Sequence, residues 1–155
     1  MLSIPSTIEH AEALAPIMNE DDKAEIWASA HSTPIESLTM GLEYSNENVT
    51  MVGDEGEIIA MLGVVPMTIV EPYFGIPWAL GSYHQKKYSK AFLRASKDLT
   101  ASWLETYEKL ENFVDVRHRR SLRWLRWLGF TIPGDIILHG PDNHPFYRFY
   151  KEREA

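Results

Sequence analysis

The chain has no cysteine among its 155 residues, which excludes disulfides, thiolate metal sites and a cysteine nucleophile together. It also lacks any run of about 18 uncharged apolar residues, the length a membrane-crossing helix needs. The opening MLSIPSTIEHAEALAPIM has no basic leader and carries Glu9 and Glu12 inside its apolar stretch, unlike a secretory signal, so an intracellular setting is expected. Repeats and low-complexity tracts are missing, and the prolines and glycines are scattered rather than gathered into a linker. Basic residues are nearly absent from the first 60 positions, where Lys23 stands alone against twelve acids, while residues 61–155 carry +4. The net charge of −7 makes neither nucleic acid nor an anionic membrane an expected partner. The acids at Glu9, Glu12, Asp21, Asp22 and Glu25 read as ordinary solvated helix faces.

What is present is the composition of one soluble globular domain over residues 1–155, with 45% hydrophobic and 24% charged residues. Leu2 to Ile4 reads as a short strand. Ser6-Thr7-Ile8-Glu9 reads as a capping box opening a helix whose stripe is Ile8, Ala11, Leu14 and Met18. A short helix is expected around Asp22 to Ala30, and Thr33-Pro34-Ile35-Glu36 opens another. Strand formers then take over: Val49–Val52, a Gly53–Gly56 turn and Glu57–Val65 form a hairpin, followed by a strand near Ile76–Leu80. From Lys87 the period of 3.6 returns through Tyr88, Phe92, Ala95, Leu99, Trp103, Tyr107 and Leu110, a helix of about six turns. Phe113–Val116 is a strand, Arg119–Leu128 a helix stopped by Gly129, and Phe130–Ile132, Ile136–Leu138 and Phe146–Tyr150 supply the last strands. Helices packed on a mixed sheet, an α/β or α+β sandwich, are the expected result.

Arg119, Arg123 and Arg126 recur at helical spacing and form one guanidinium stripe, with Arg120, Trp124 and Trp127 interleaved. Such a face suits an acidic protein surface or another anion, and one of the two tryptophans should be partly exposed. The tail His144 to Tyr150 places aromatics on both faces of a strand, as a covered central strand or a contact surface. His139, Asp142 and His144 match no metal-site spacing.

The stretch Phe113-Val114-Asp115-Val116-Arg117-His118-Arg119-Arg120-Ser121-Leu122-Arg123-Trp124-Leu125-Arg126-Trp127-Leu128-Gly129-Phe130 resembles the strand, loop and Gly-Phe-ended helix of the GNAT acyltransferases. More narrowly, the segment Pro77-Trp78-Ala79-Leu80-Gly81, that helix and the Pro-Phe-Tyr-Arg-Phe ending resemble GNAT-like proteins of short-tailed phages, some of them internal virion components. The resemblance implies a mainly antiparallel mixed sheet flanked by helices, acetyl-CoA as acyl donor, a primary amine of a small molecule or protein as acceptor, no metal, and a setting in host cytoplasm or virion. It implies coenzyme contacts at Ser82, Lys86, Lys87, Lys90 and His118, and a base at Glu71 or His84. Three features depart from the family. The phosphate loop Gly81–Tyr88 has no glycine after Gly81, His118 stands where the family has an asparagine, and the family's proton-donor tyrosine is replaced by Leu125. Two readings follow: an acyltransferase, or a catalytically degenerate scaffold that binds a phage or host protein through the Arg119 to Arg126 helix.

Overall fold

The structure, a computed structural model, describes residues 1–67 and 73–154. Seven strands form one sheet in the order β1-β2-β3-β4-β5-β7-β6. They are β1 Leu2–Pro5, β2 Glu47–Val52, β3 Ile58–Pro66, β4 Phe74–Gly81, β5 Lys109–Asp115, β6 Ile136–His139 and β7 His144–Glu152. All neighbours are antiparallel except β4 and β5. Helices α1 (Ile8–Leu14), α2 (Glu20–Ala30) and α3 (Pro34–Tyr44) precede the hairpin; α4 (Ser89–Thr106) and α5 (Arg119–Trp127) follow β4 and β5. This is the mixed, mainly antiparallel α/β arrangement expected. Among the described residues no helix is long and apolar enough to cross a membrane.

Each face of the sheet holds a core. Ala11, Leu14, Met18, Leu38, Met61 and Leu80 pack under α1 to α3. The larger core, with Ile59, Val64, Phe92, Trp103, Tyr107, Leu110, Val114, Leu125 and Phe149, lies under α4 and α5. Each buried Val, Leu, Ile, Phe or Met among them contributes roughly 1.5–3 kcal/mol. Helix α3 starts as expected, with Thr33 and Glu36 capping reciprocally and Pro34 in the first turn. Leu128 and Gly129, the latter at φ +92°, close α5, a left-handed position that glycine takes without strain.

Three expectations are corrected. The first capping box is one residue later: Thr7 and His10 cap α1, because the Ser6 hydroxyl instead accepts a hydrogen bond from Thr50 in β2. The long helix stops at Thr106 and does not reach Leu110. Tyr107 is extended because the Glu108 amide bonds to the Tyr73 carbonyl at 2.7 Å and starts β5 beside β4. Of the Phe130–Ile132 segment, only Thr131 bridges to Tyr150.

Candidate functional site

The one parallel pair in the sheet is also its weakest seam. β4 and β5 pair only at Phe74↔Lys109 and Gly75↔Leu110, then diverge into a fork. Asn112 ties the gap once, its Nδ2 donating to the Pro77 carbonyl at 2.8 Å. Beyond that point the edge peptide groups of both strands face open space, and unpaired backbone donors there need partners.

Side chains supply most of them. Gly81 N–H, at the end of β4, donates to Asp22 Oδ2 at 2.8 Å. On β5, Phe113 N–H donates to Asn112 Oδ1 at 2.7 Å and Asp115 N–H to Glu25 Oε2 at 2.9 Å. Asp22 and Glu25 lie three apart and so share one face of α2, and that helix clips both prongs of the fork. Since Pro77 and Gly81 turn their peptide groups away from β3, alternation turns Ala79 the same way. Ala79 thus presents its N–H and C=O to the fork with no strand opposite.

A cavity of about 440 Å³ passes through this opening. Ser96, Leu99, Thr100, Trp103, Trp124 and Leu125 line it on the α4/α5 side; Glu25, Ile26, Met40, Tyr44 and Trp78 line it on the α2/α3 side. Gly63 and Gly41 make room for the Trp78 indole: a Cβ at either would come within 2.7 Å of its ring. The indole N–H donates to Ser45 Oγ at 2.6 Å.

The fork's open end concentrates ionisable groups. His118 is buried, with Nε2 2.7 Å from Asp22 Oδ1. Burial alone would lower the His118 pKa, but the Asp22 hydrogen bond and the charges of Glu25, Asp22 and Asp21 hold it above its ordinary value. Burial pushes the Glu25 carboxyl up to about 7, aided by Asp22 and Asp115 and opposed by His118 and the Asp115 amide. Asp115 itself is held low: burial works against this, but hydrogen bonds from Arg117 and His144 prevail. The expectation that the early acids are all solvated is corrected for Asp22 and Glu25, which point into the fork because only they reach its backbone donors.

The residues singled out from sequence fall in three places. His118 and Arg120 line a small cleft at the fork's open end, with Gln85 and Gly81. Ser82 is buried and its hydroxyl donates to the Ile58 carbonyl at 2.6 Å, so it braces the turn Tyr83–Lys86. His84 packs against Tyr83 in that turn, and Lys86, Lys87 and Lys90 are exposed around the start of α4. Glu71 lies outside the described residues. On α5, Arg119, Arg123 and Arg126 are exposed and none of the helix's arginines makes an ion pair among the described residues. Trp124 turns inward, its N–H donating to Ser96 Oγ at 3.1 Å, whereas Trp127 is 50% exposed. Sequence reasoning missed Asp22, Glu25, Asn112 and Ala79; each matters through backbone it meets across the fold. Among the described residues no group of three or more His, Cys, Asp or Glu could hold a metal ion.

No protein-family model and no curated protein matches the chain. Solved structures do match it along nearly its whole length. A ribosomal-protein-alanine N-acetyltransferase from Brucella melitensis superposes with a TM-score of 0.74 at 14% identity, covering 98% of this chain and 99% of that one. A putative phosphinothricin N-acetyltransferase gives 0.72 at 12%, covering 99% of each. A spermidine N-acetyltransferase from Vibrio cholerae, solved with CoA and spermine, gives 0.70 at 9%, covering 98% of this chain and 95% of that one. At such identities the likeness establishes the fold, which is that of the GNAT N-acetyltransferases.

Proposed function

We propose that the chain transfers an acetyl group from acetyl-CoA to a primary amine, with Glu25 as the general base. The observation that carries this reading is an acid with a pKa near 7 in the throat of a fork open to both faces of the sheet. A base poised at working pH is what deprotonating an ammonium requires.

The fork fits the donor's extended arm. Ala79 turns toward it an N–H and C=O with no partner among the described residues, and the cavity continues on the α4/α5 side between Trp124 and Thr100. The anionic end differs from the family pattern. The Gln85, Lys87 and Tyr88 amides are spent on carbonyls within the turn and the His84 amide on Ser82 Oγ, so phosphate charge falls to side chains. We assign Arg120, Lys86, Lys87 and Lys90 to that role, with His84 beside them and His118 and Ser82 holding the loop in place. When bound, the coenzyme supplies the thioester: a carbon–nitrogen bond forms, the carbon–sulfur bond breaks, and the proton left on nitrogen ends on the departing thiol.

Glu25 takes the first proton from the substrate ammonium and returns it to solvent. Ala79 N–H polarises the carbonyl as negative charge develops on its oxygen. Leu125 has no proton to give the departing sulfur, so the thiolate takes the second proton of the acceptor nitrogen, directly or relayed by water. Glu71 and His84, the bases inferred from sequence, are the alternatives to Glu25 for that first proton.

Titration calorimetry of acetyl-CoA into wild type and K86A/K87A, followed by thiol release with added amines, tests the reading. Micromolar binding weakened at least about tenfold in the variant supports it. No binding at millimolar coenzyme overturns it in favour of the degenerate scaffold, whose contact surface would be the unpaired Arg119, Arg123 and Arg126 stripe beside Trp127.

A further inference from the structure

The two halves of the cavity are unlike in what they ask of a ligand. On the α2/α3 side the wall is mostly apolar, with Ile26, Met40, Tyr44, Trp78, Phe113 and Phe146, and its serines Ser29, Ser32 and Ser37 bond to His139, to the Thr33 carbonyl and to one another. Glu25 is the one carboxylate among the described residues lining the cavity, and no Lys or Arg lines it. His139, the only other ionisable side chain besides Tyr44 among the described residues lining that half, stacks on Phe113 at 5.4 Å and meets Phe146 edge-on at 5.3 Å. Met40 and Tyr44, both more than half exposed, form the outer rim.

A ligand placed here gains by burying apolar surface and can satisfy one ammonium, on Glu25. A second or third ammonium would enter a mostly apolar wall with no further carboxylate among the described residues to meet it, and losing its hydration there is strongly unfavourable. A phosphate or carboxylate on the acceptor would find no cation. We infer that the acceptor is a monocationic, apolar primary amine, an aralkyl or alkyl amine, whose body lies against Trp78, Phe113 and Phe146 and whose nitrogen meets Glu25. This deepens the transferase reading and rests on it, and it separates the chain from a polyamine acceptor such as the spermine bound by one structural neighbour.

Saturation-transfer NMR of phenylethylamine, hexylamine and spermidine on the full-length protein without coenzyme reads the pocket directly; thiol release from acetyl-CoA with the same amines reads the reaction. Expected is binding of the two apolar amines alone, and kcat/KM for phenylethylamine about 100-fold above spermidine, the order by which an apolar pocket rejects an added polar group. M40E, which adds a second acid at an exposed rim position, should narrow that ratio at least about tenfold by the same rule. Equal or preferred use of spermidine overturns the inference while the transferase reading stands, as does coenzyme binding with no apolar amine bound. Apolar amine binding with no coenzyme binding overturns the transferase reading and leaves the pocket's ligand class in place.

Discussion

Glu25 is the residue on which the chemistry turns. With its carboxyl raised from 4.5 to about 7, it is neutral in mild acid and becomes a base only as pH passes through about 7, so kcat/KM should rise along that limb. E25Q should keep the fold, abolish the limb and lower kcat/KM by about 10²–10⁴, measured by thiol release from pH 5.5 to 9. An unchanged pH profile would remove Glu25 from the mechanism. Asp22 has the opposite character, structural rather than reactive. D22A leaves the Gly81 amide without its partner and takes from the buried His118 its carboxylate, Ser121 alone remaining, and should cost about 3 kcal/mol in a denaturant melt, against about 0.5 or less for a surface acid such as Glu12. Neither role was legible in the sequence. Acids at Glu20, Asp21, Asp22 and Glu25 surround α2, so no apolar stripe marks its inward side, and the backbone they serve lies more than fifty positions away.

Elements were more legible than residues because caps and strand formers are local. Thr33 with Glu36, Gly129 after α5 and the hairpin of β2 and β3 all stand where turn chemistry and side-chain preference put them. T33A should therefore cost about 1 kcal/mol, readable as a lowered urea midpoint with unchanged slope. The overrun of α4 has a physical origin too. Tyr107 and Leu110 are buried at 0% exposure and happen to continue the helical spacing, but they bury in an extended chain, and no Gly or Pro marks the change. On α5 the stripe Arg119, Arg123 and Arg126 was visible from spacing alone, while its lack of ionic partners was not. Because those guanidinium groups make no ion pair among the described residues, R119E/R123E/R126E should shift stability by no more than about 0.5 kcal/mol per site in a thermal melt. A larger loss would mean that the stripe serves the fold.

For the whole molecule, the open-end cluster ties stability to pH. Glu25 binds its proton more tightly folded than unfolded, so its contribution is complete below pH 4.5 and is lost as pH rises to about 7. The raised His118 works in the same direction, its contribution being lost as pH climbs through its folded value. Asp115, held low, opposes them in acid: its contribution is present above the ordinary carboxylate range and lost as pH falls through its folded value. Urea midpoints should therefore decline between about pH 5 and 7, and E25Q should flatten that decline. The global arrangement of sheet and helices was readable from the order of elements and the Gly-Phe-ended helix. The fork was not, since divergence of two strands after two residue pairs leaves no mark in either strand.

The clip made by α2 has a consequence for how the molecule opens. Gly81 and Asp115 sit on different strands, yet both their amide protons are held by carboxylates of one short helix. No sheet partner protects them when that helix lifts. Their hydrogen–deuterium exchange should thus share one opening free energy, lower than that of the β3 ladder, and two amides 34 positions apart would report a single local unfolding event.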